Sequence, residues 1–200
     1  MFELAKDHLN EQKMSVERGI ISPTNDKYGE KRNILKAKQR IEMIKLALIN
    51  CKVNDWIKCD TWEADQPDWV RTISSLNHQV DQLNREYSSK NKPIVKLLCG
   101  ADLLQSFAKP GLWKDEDIED IVSKFGLIVI SRVGSDAKTF IDSHSILKKY
   151  SHQIELINEP IVNEISSTII RKLVKSGQSI KYFVPDDVIE YIGHHKLYRE

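Results

Sequence analysis

The sequence predicts an α/β fold: a doubly wound parallel sheet with helices on both faces. Two observations predict it. Short apolar runs alternate along the chain with longer stretches patterned at helical spacing. The runs "IVKLLC" (Ile94 to Cys99) and "LIVIS" (Leu127 to Ser131) are almost wholly apolar, as strands covered on both sides are. The 200 residues suffice for one domain with a full core, and 1–200 is read as a single domain.

The elements follow in order. Phe2, Leu4, Ala5 and Leu9 give the start a helical pattern, with no capping residue and no strand ahead of it. Val16 to Ser22 ("VERGIIS") reads as a strand. Lys36 to Asn50 is helical and buries Ile41, Ile44 and Leu48. Trp56 to Asp60 is a short strand and Asp68 to Tyr87 a helix. The strand Ile94 to Cys99 runs directly into Gly100 and a short helix. A helix from Asp115 to Lys124 precedes the strand Leu127 to Ser131. A helix from Asp136 to Lys148 precedes the strand Gln153 to Ile157. Two helices close the chain, Thr168 to Ser176 and one beginning near Pro185. The polar stretch Ser88 to Pro93 ("SSKNKP") reads as an exposed loop.

Composition removes several classes. The net charge is +1, with Lys and Arg spread through the chain. A dedicated nucleic-acid binder would show a basic stripe, so no nucleic-acid partner is expected. No apolar run approaches the ~20 residues of a membrane span, so no membrane partner is expected either. The opening "MFELAKDHLNEQKM" is charged throughout and unlike a signal peptide. Cys51, Cys59 and Cys99 are odd in number and form no Cys-x-x-Cys, which reads as free thiols in a reducing compartment. Cytoplasmic placement is expected, with the nucleus an alternative, although "SSKNKP" carries no localisation signal. Homo-oligomerisation is left open. The eight glycines form neither G-x-G-x-x-G nor a Walker A loop.

In an open α/β sheet, ligands bind beyond the carboxyl ends of the strands, and three stretches fall there. In "CGADLL" (Cys99 to Leu104), Gly100 permits close approach to the backbone. Asp102 suits a ribose hydroxyl, or caps the helix, which is the commoner use of such an Asp. In "DTWEADQPDWVRT" (Asp60 to Thr72), Trp62 and Trp69 are each either a stacking platform for a flat heteroaromatic ring or a core anchor. "KPGLW" (Lys109 to Trp113) adds a third tryptophan on an exposed loop, with the same two readings. The third stretch is "EISSTIIRKLVKSG" (Glu164 to Gly177). Ser166, Ser167 and Thr168 stand where an N-cap belongs, and Gly177 where a left-handed C-cap belongs. Arg171 reads as a first-turn residue, where the helix dipole disfavours a cation. A phosphate on the free N–H groups would account for it; so would a side chain that snorkels to solvent.

The stretches "ISPTNDKYGEK", "DTWEADQPDW", "KLLCGADLL", "GLWKDEDI" and "NEISSTIIR", in this order and spacing, closely resemble eukaryotic nicotinamide/nicotinate mononucleotide adenylyltransferases. The closing "SIKYFVPDDVIEYIGHHKLY" resembles that family's C-terminal end, so the likeness covers essentially the whole chain. The S-S-T-x-x-R start is shared by a wider nucleotidyltransferase superfamily; the tryptophan segment and L-C-G-A-D are more specific.

The resemblance implies a Rossmann-like nucleotidyltransferase fold. It implies transfer of the adenylyl group of ATP, with Mg²⁺, to nicotinamide or nicotinate mononucleotide. The products would be NAD, or its deamido form, and pyrophosphate. Attack would be in line, without a covalent intermediate, so positioning and charge neutralisation would carry catalysis. The family pattern places Ser167, Thr168, Ile169, Ile170 and Arg171 on the ATP phosphates, with Arg171 and Lys31 as the catalytic cations. It places Gly100 and Asp102 at the ribose and nearby backbone. Trp69 and Thr72 would take the nicotinamide end, with Leu112 and Trp113 lining the same pocket. Glu159 and Asn163 would touch the nucleotide, and Arg132 and Lys31 the mononucleotide phosphate. No residue is implied as a metal ligand.

Two departures from the family pattern stand out. Where the family has two adjacent lysines, this sequence has Glu30, Lys31 and Arg32, with a one-residue insertion nearby. The family also opens with an apolar strand, a Gly-Ser-Phe-Asn-Pro loop and a histidine, whereas this sequence starts inside the helix that follows them. The expectation is therefore an N-terminally shortened domain, its first strand missing, with low activity. The alternative is a non-catalytic form that acts as a chaperone-like or partner-binding protein.

Overall fold

The structure, a computed structural model, describes residues 1–30, 34–88, 92–131, 136–161 and 163–199. Its first half runs α1 (Phe2–Glu11), β1 (Gly19–Ile21), α2 (Asp26–Glu30), α3 (Ala37–Asn50), β2 (Ile57–Cys59), α4 (Thr72–Glu86) and β3 (Leu97–Gly100). The second half runs α5 (Ala101–Ser106), α6 (Asp115–Asp120), β4 (Leu127–Ser131), α7 (Ala137–Ser143), α8 (Ser145–Lys149), β5 (Ile154–Asn158), α9 (Ser167–Lys175) and α10 (Asp186–His194). Residues 89–91 of the expected loop at 88–93 lie outside the described residues.

The chain divides into two compact units: Met1–Glu17 with Arg71–Asn163, and Arg18–Val70 with Glu164–Glu200. The strands form two parallel sheets rather than the single one expected: β3–β4–β5 in the first unit and β1–β2 in the second. The small sheet is three residue pairs long, from Gly19 against Ile57 to Ile21 against Cys59. One further bond closes each of its ends, Gly19 N–H to Trp56 O and Asp60 N–H to Ile21 O.

In the first unit, β4 is the central strand and all five of its residues are buried. Its side chains alternate between two apolar clusters, as the pleat requires. Leu127 and Val129 enter a core with Leu104 of α5, Ile118 of α6, Ile141 of α7 and Leu147 of α8. Ile128 and Ile130 face Ala5, Leu4 and Leu9 of α1, together with Ile157 of β5. Helices therefore cover both faces, which is why "LIVIS" is apolar without alternation. Leu104, Ile118, Leu127 and Leu147 are fully buried, each stabilising the unit by about 1.5–3 kcal/mol.

Several boundaries differ from expectation for local reasons. The helix expected from Asp68 begins at Thr72, because the Asp68 carboxylate takes the Trp69 N–H and Arg71 is extended at φ −76°, ψ 151°. The helix expected over Asp136 to Lys148 breaks at His144, which is also extended, giving α7 and α8. After α6 the chain passes through a π-helical turn, Ile121–Phe125, before Gly126 ends it at φ 73°. The short helix α2 was not anticipated.

In the second unit, α3, α9 and α10 pack around Ile170, Ile180, Val188, Ile192 and Leu197. Helix α9 ends in a Schellman motif: Gln178 N–H bonds Leu173 O, Gly177 N–H bonds Val174 O, and Gly177 sits at φ 69°. Helix α3 ends the same way, but Lys52 occupies the left-handed position at φ 55°.

Candidate nucleotide site

In the second unit, α9 carries the candidate anion-binding residues. Ser166 is its N-cap, and its Oγ accepts the Ile169 N–H at 3.3 Å. The helix thus starts at Ser167, one residue earlier than expected. Arg171 is its fifth residue, on the second turn rather than the first. The N–H groups of Ser167 and Thr168 have no acceptor within the helix, and Ser167, Thr168 and Ile169 are exposed. Ile170 is 8% exposed and its side chain belongs to the core; its N–H is bonded to Ser166 O. Arg171 is half-buried and donates from Nη2 to Thr168 Oγ1 at 3.4 Å. Among the described residues it has no carboxylate partner. Burial pushes the Tyr198 phenol above its ordinary value, while the positive charges of Arg171 and Arg40 pull it down. Both guanidinium groups therefore act on the same phenol.

The tryptophan segment lies in the same unit. Trp69 is 46% exposed and stacks on Tyr28 with ring centroids 6.2 Å apart and 17° between planes. Trp62 is half-buried, its N–H held by Asp60 and its carbonyl by Gln66. Asn25, only 4% exposed, fastens this segment to the "SPTND" stretch. It donates to Gln66 O at 2.6 Å and to Ala64 O at 3.3 Å, and accepts the Lys27 N–H at 2.9 Å. Arg40 donates to Thr24 O at 2.6 Å and Leu35 O at 2.8 Å, and approaches Asp26 Oδ1 at 3.4 Å. Neither Asn25 nor Arg40 was singled out from the sequence. The signal for Asn25 was an Asn in a Pro-containing polar stretch, where its amide serves backbone groups. Lys31 and Arg132 lie outside the described residues.

The first unit carries the remaining candidates. Gly100 ends β3 opposite Ile130. A Cβ at Gly100 would lie 2.7 Å from Asp102 Oδ1, so glycine is needed here to make room for the chain's own carboxylate. Asp102 is exposed and makes no capping bond to α5, whose N-cap is Gly100. Its carboxylate is therefore spared from the capping role that was the commoner reading. Burial, aided by the Asp102 charge, pushes the neighbouring Cys99 thiol up to about 12. Trp113 is not the exposed-loop residue expected. Its indole N–H donates to Ser106 Oγ at 3.0 Å, and its ring meets Phe107 edge-on at 4.8 Å. Leu112 before it is exposed, on a turn that Gly111 opens at φ 72°. Glu159 extends the β4–β5 ladder through its N–H to Ser131 O at 2.9 Å, and Asn163 is exposed. Thr72 is the first residue of α4. Arg71 before it, also overlooked in the sequence, pairs with Asp117.

The cytidylyltransferase-like family model matches residues 1–173. The chain is 41% identical to bovine nicotinamide/nicotinic acid mononucleotide adenylyltransferase 1, over 99% of this chain and 82% of that protein. The chain belongs to this adenylyltransferase family. It is equally similar to the rice nicotinamide/nicotinic acid mononucleotide adenylyltransferase, 41% identical over the full chain and 79% of that protein. The Drosophila nicotinamide-nucleotide adenylyltransferase is 42% identical over 99% of this chain and 56% of its own length.

As an adenylyltransferase-family chain, it keeps these candidates at the ends of elements: Gly100 closing β3, Glu159 after β5 and Ser167 opening α9. Among the described residues no three His, Cys, Asp or Glu side chains converge as a metal site. Among the same residues no helix is long and apolar enough to cross a membrane.

Proposed function

We propose that this chain transfers the adenylyl group of ATP to nicotinamide or nicotinate mononucleotide. A phosphate oxygen of the mononucleotide attacks the α-phosphorus of ATP. The bond from that phosphorus to the bridging oxygen of the β-phosphate breaks. Pyrophosphate leaves with the electron pair, and NAD or its deamido form is the product. The observation that carries the proposal is the start of α9: two N–H groups without helical acceptors beside a half-buried Arg171 that has no carboxylate partner among the described residues. That arrangement suits a polyphosphate, through helix dipole, backbone donors and a charge-assisted guanidinium bond.

Trp69 supplies an exposed aromatic face for the pyridinium ring, and stacking there gains from the ring's positive charge. By the family resemblance, Thr72, Leu112 and Trp113 of the first unit are also assigned to the pyridine ring. Asp102, free of capping, accepts ribose hydroxyls beside Gly100. Ser167, Thr168 and Ile169 offer the exposed part of the ATP-phosphate cradle, with Glu159 and Asn163 toward the nucleotide. Magnesium enters as MgATP. Bound with ATP, it would supply charge neutralisation at the phosphates.

The test is formation of the dinucleotide from ATP and each mononucleotide by the purified chain, followed by chromatography. Product in either reaction supports the proposal. A folded chain that makes none from either mononucleotide sinks it.

A further inference from the structure

We infer that Arg71 is a positioning residue for the pyridine end of the site; this rests on the function proposed above. Arg71 is the N-cap of α4, and its side chain makes no capping bond. A cation at a helix start is opposed by the dipole. Asp117 has the complementary problem: it is a buried carboxylate, its side chain 12% exposed, in the first turn of α6. Such a group is stable as an anion only when paired. Arg71 Nη1 meets both of its oxygens, Oδ1 at 2.7 Å and Oδ2 at 2.8 Å. Each residue thus accounts for the other's placement.

The pair ties together two helix starts that lie far apart in sequence. Thr72 follows Arg71 directly. Trp113 lies four residues before Asp117, and Ser106 and Phe107 fix its ring. Ile73 and Leu76 of α4 share an apolar core with Ile118 of α6, and the ion pair adds a directional polar tie at the two helix starts. The pair therefore sets where Thr72 stands relative to the Leu112–Trp113 turn. It is neutral overall, so it adds no net charge to a ligand's surroundings.

The test is steady-state turnover by the full chain, with each substrate varied in turn. The double variant R71Q/D117N removes the ion pair without leaving a lone buried charge. Its KM for the mononucleotide is expected to rise about tenfold, because small misplacements of a binding stretch are costly. Its KM for ATP should stay within about twofold, and R71K, which keeps the charge but on a shorter side chain without the planar guanidinium, should give a mononucleotide KM between those of the parent and the double variant. Parallel rises in both KM values would mean general loosening and would overturn the inference, as would an unchanged mononucleotide KM. Should R71Q/D117N fail to fold, R71K alone decides, by the same split between the two KM values. An inert wild-type chain overturns the function proposal first and this inference with it.

Discussion

Arg171 stands half-buried on the second turn of α9, with a hydroxyl for a neighbour and no described carboxylate. If it holds ATP phosphate, Arg171→Ala should lower kcat/KM for ATP by about a hundredfold, with far-ultraviolet circular dichroism unchanged. Unaltered ATP kinetics would return it to the role of a solvent-seeking side chain. A second residue-level outcome concerns pH. Burial raises the Glu155 carboxyl, but hydrogen bonds from His8 and Gln12 and the charges of His8 and Lys96 outweigh it, leaving the group below its ordinary value of 4.5. A lowered folded value means a stabilising contribution that is complete above the unfolded carboxyl's range. It is lost as pH falls through the folded value. Glu155→Gln should therefore narrow the gap in Tm between pH 7 and pH 4. Individual residues were unevenly legible. Ser166 and Gly177 were readable as caps because their chemistry is local. Asn25, Arg40 and Arg71 were not, because each acts on a partner fixed by the fold. Asn25 reaches carbonyls 39 and 41 residues away, and Arg71 a carboxylate 46 residues away.

Helix ends show the balance at the next scale. Gly177 and Lys52 occupy equivalent left-handed positions, at φ 69° and φ 55°. That conformation costs a side-chain-bearing residue roughly 1 kcal/mol or more and glycine almost nothing. Gly177→Ala should destabilise the protein by about 1 kcal/mol, and Lys52→Gly should stabilise it by about 0.5–1 kcal/mol, both read by urea denaturation. A Lys52→Gly protein less stable than the parent would show that the lysine side chain matters more than its backbone strain. Strand β4 matched its expected span because buried runs are self-evident. Helix α4 started four residues late because a single aspartate offered its own hydrogen bond to the backbone. The division of the strands into two sheets was not legible, since pairing depends on which strands meet and periodicity reports only what each one is.

Among the described residues three apolar clusters share no members, two in the first unit and one in the second. Two gather around β4, and the third among α3, α9 and α10. A chain ending at Asn163 would lose Ile170, Ile180, Val188, Ile192 and Leu197, and leave Met43 and Leu46 of α3 without their cover. Hydrogen exchange on that fragment should find β4 amides protected and α3 amides exchanging freely. Protection of α3 there would mean that its packing does not depend on α9 and α10. The two units are also interleaved along the chain, which passes between them after Glu17, Val70 and Asn163. This has a consequence for a protein emerging from a ribosome. Helix α1 is made before its partners, yet it rests on Ile128, Ile130 and Ile157, so its apolar face stays uncovered until Ile157 has been made. Helix α3 waits about as long, until Leu197 has been made. Neither unit can finish folding in the order in which it is synthesised. Nascent chains of this protein therefore carry two uncovered apolar surfaces until those partners have been made.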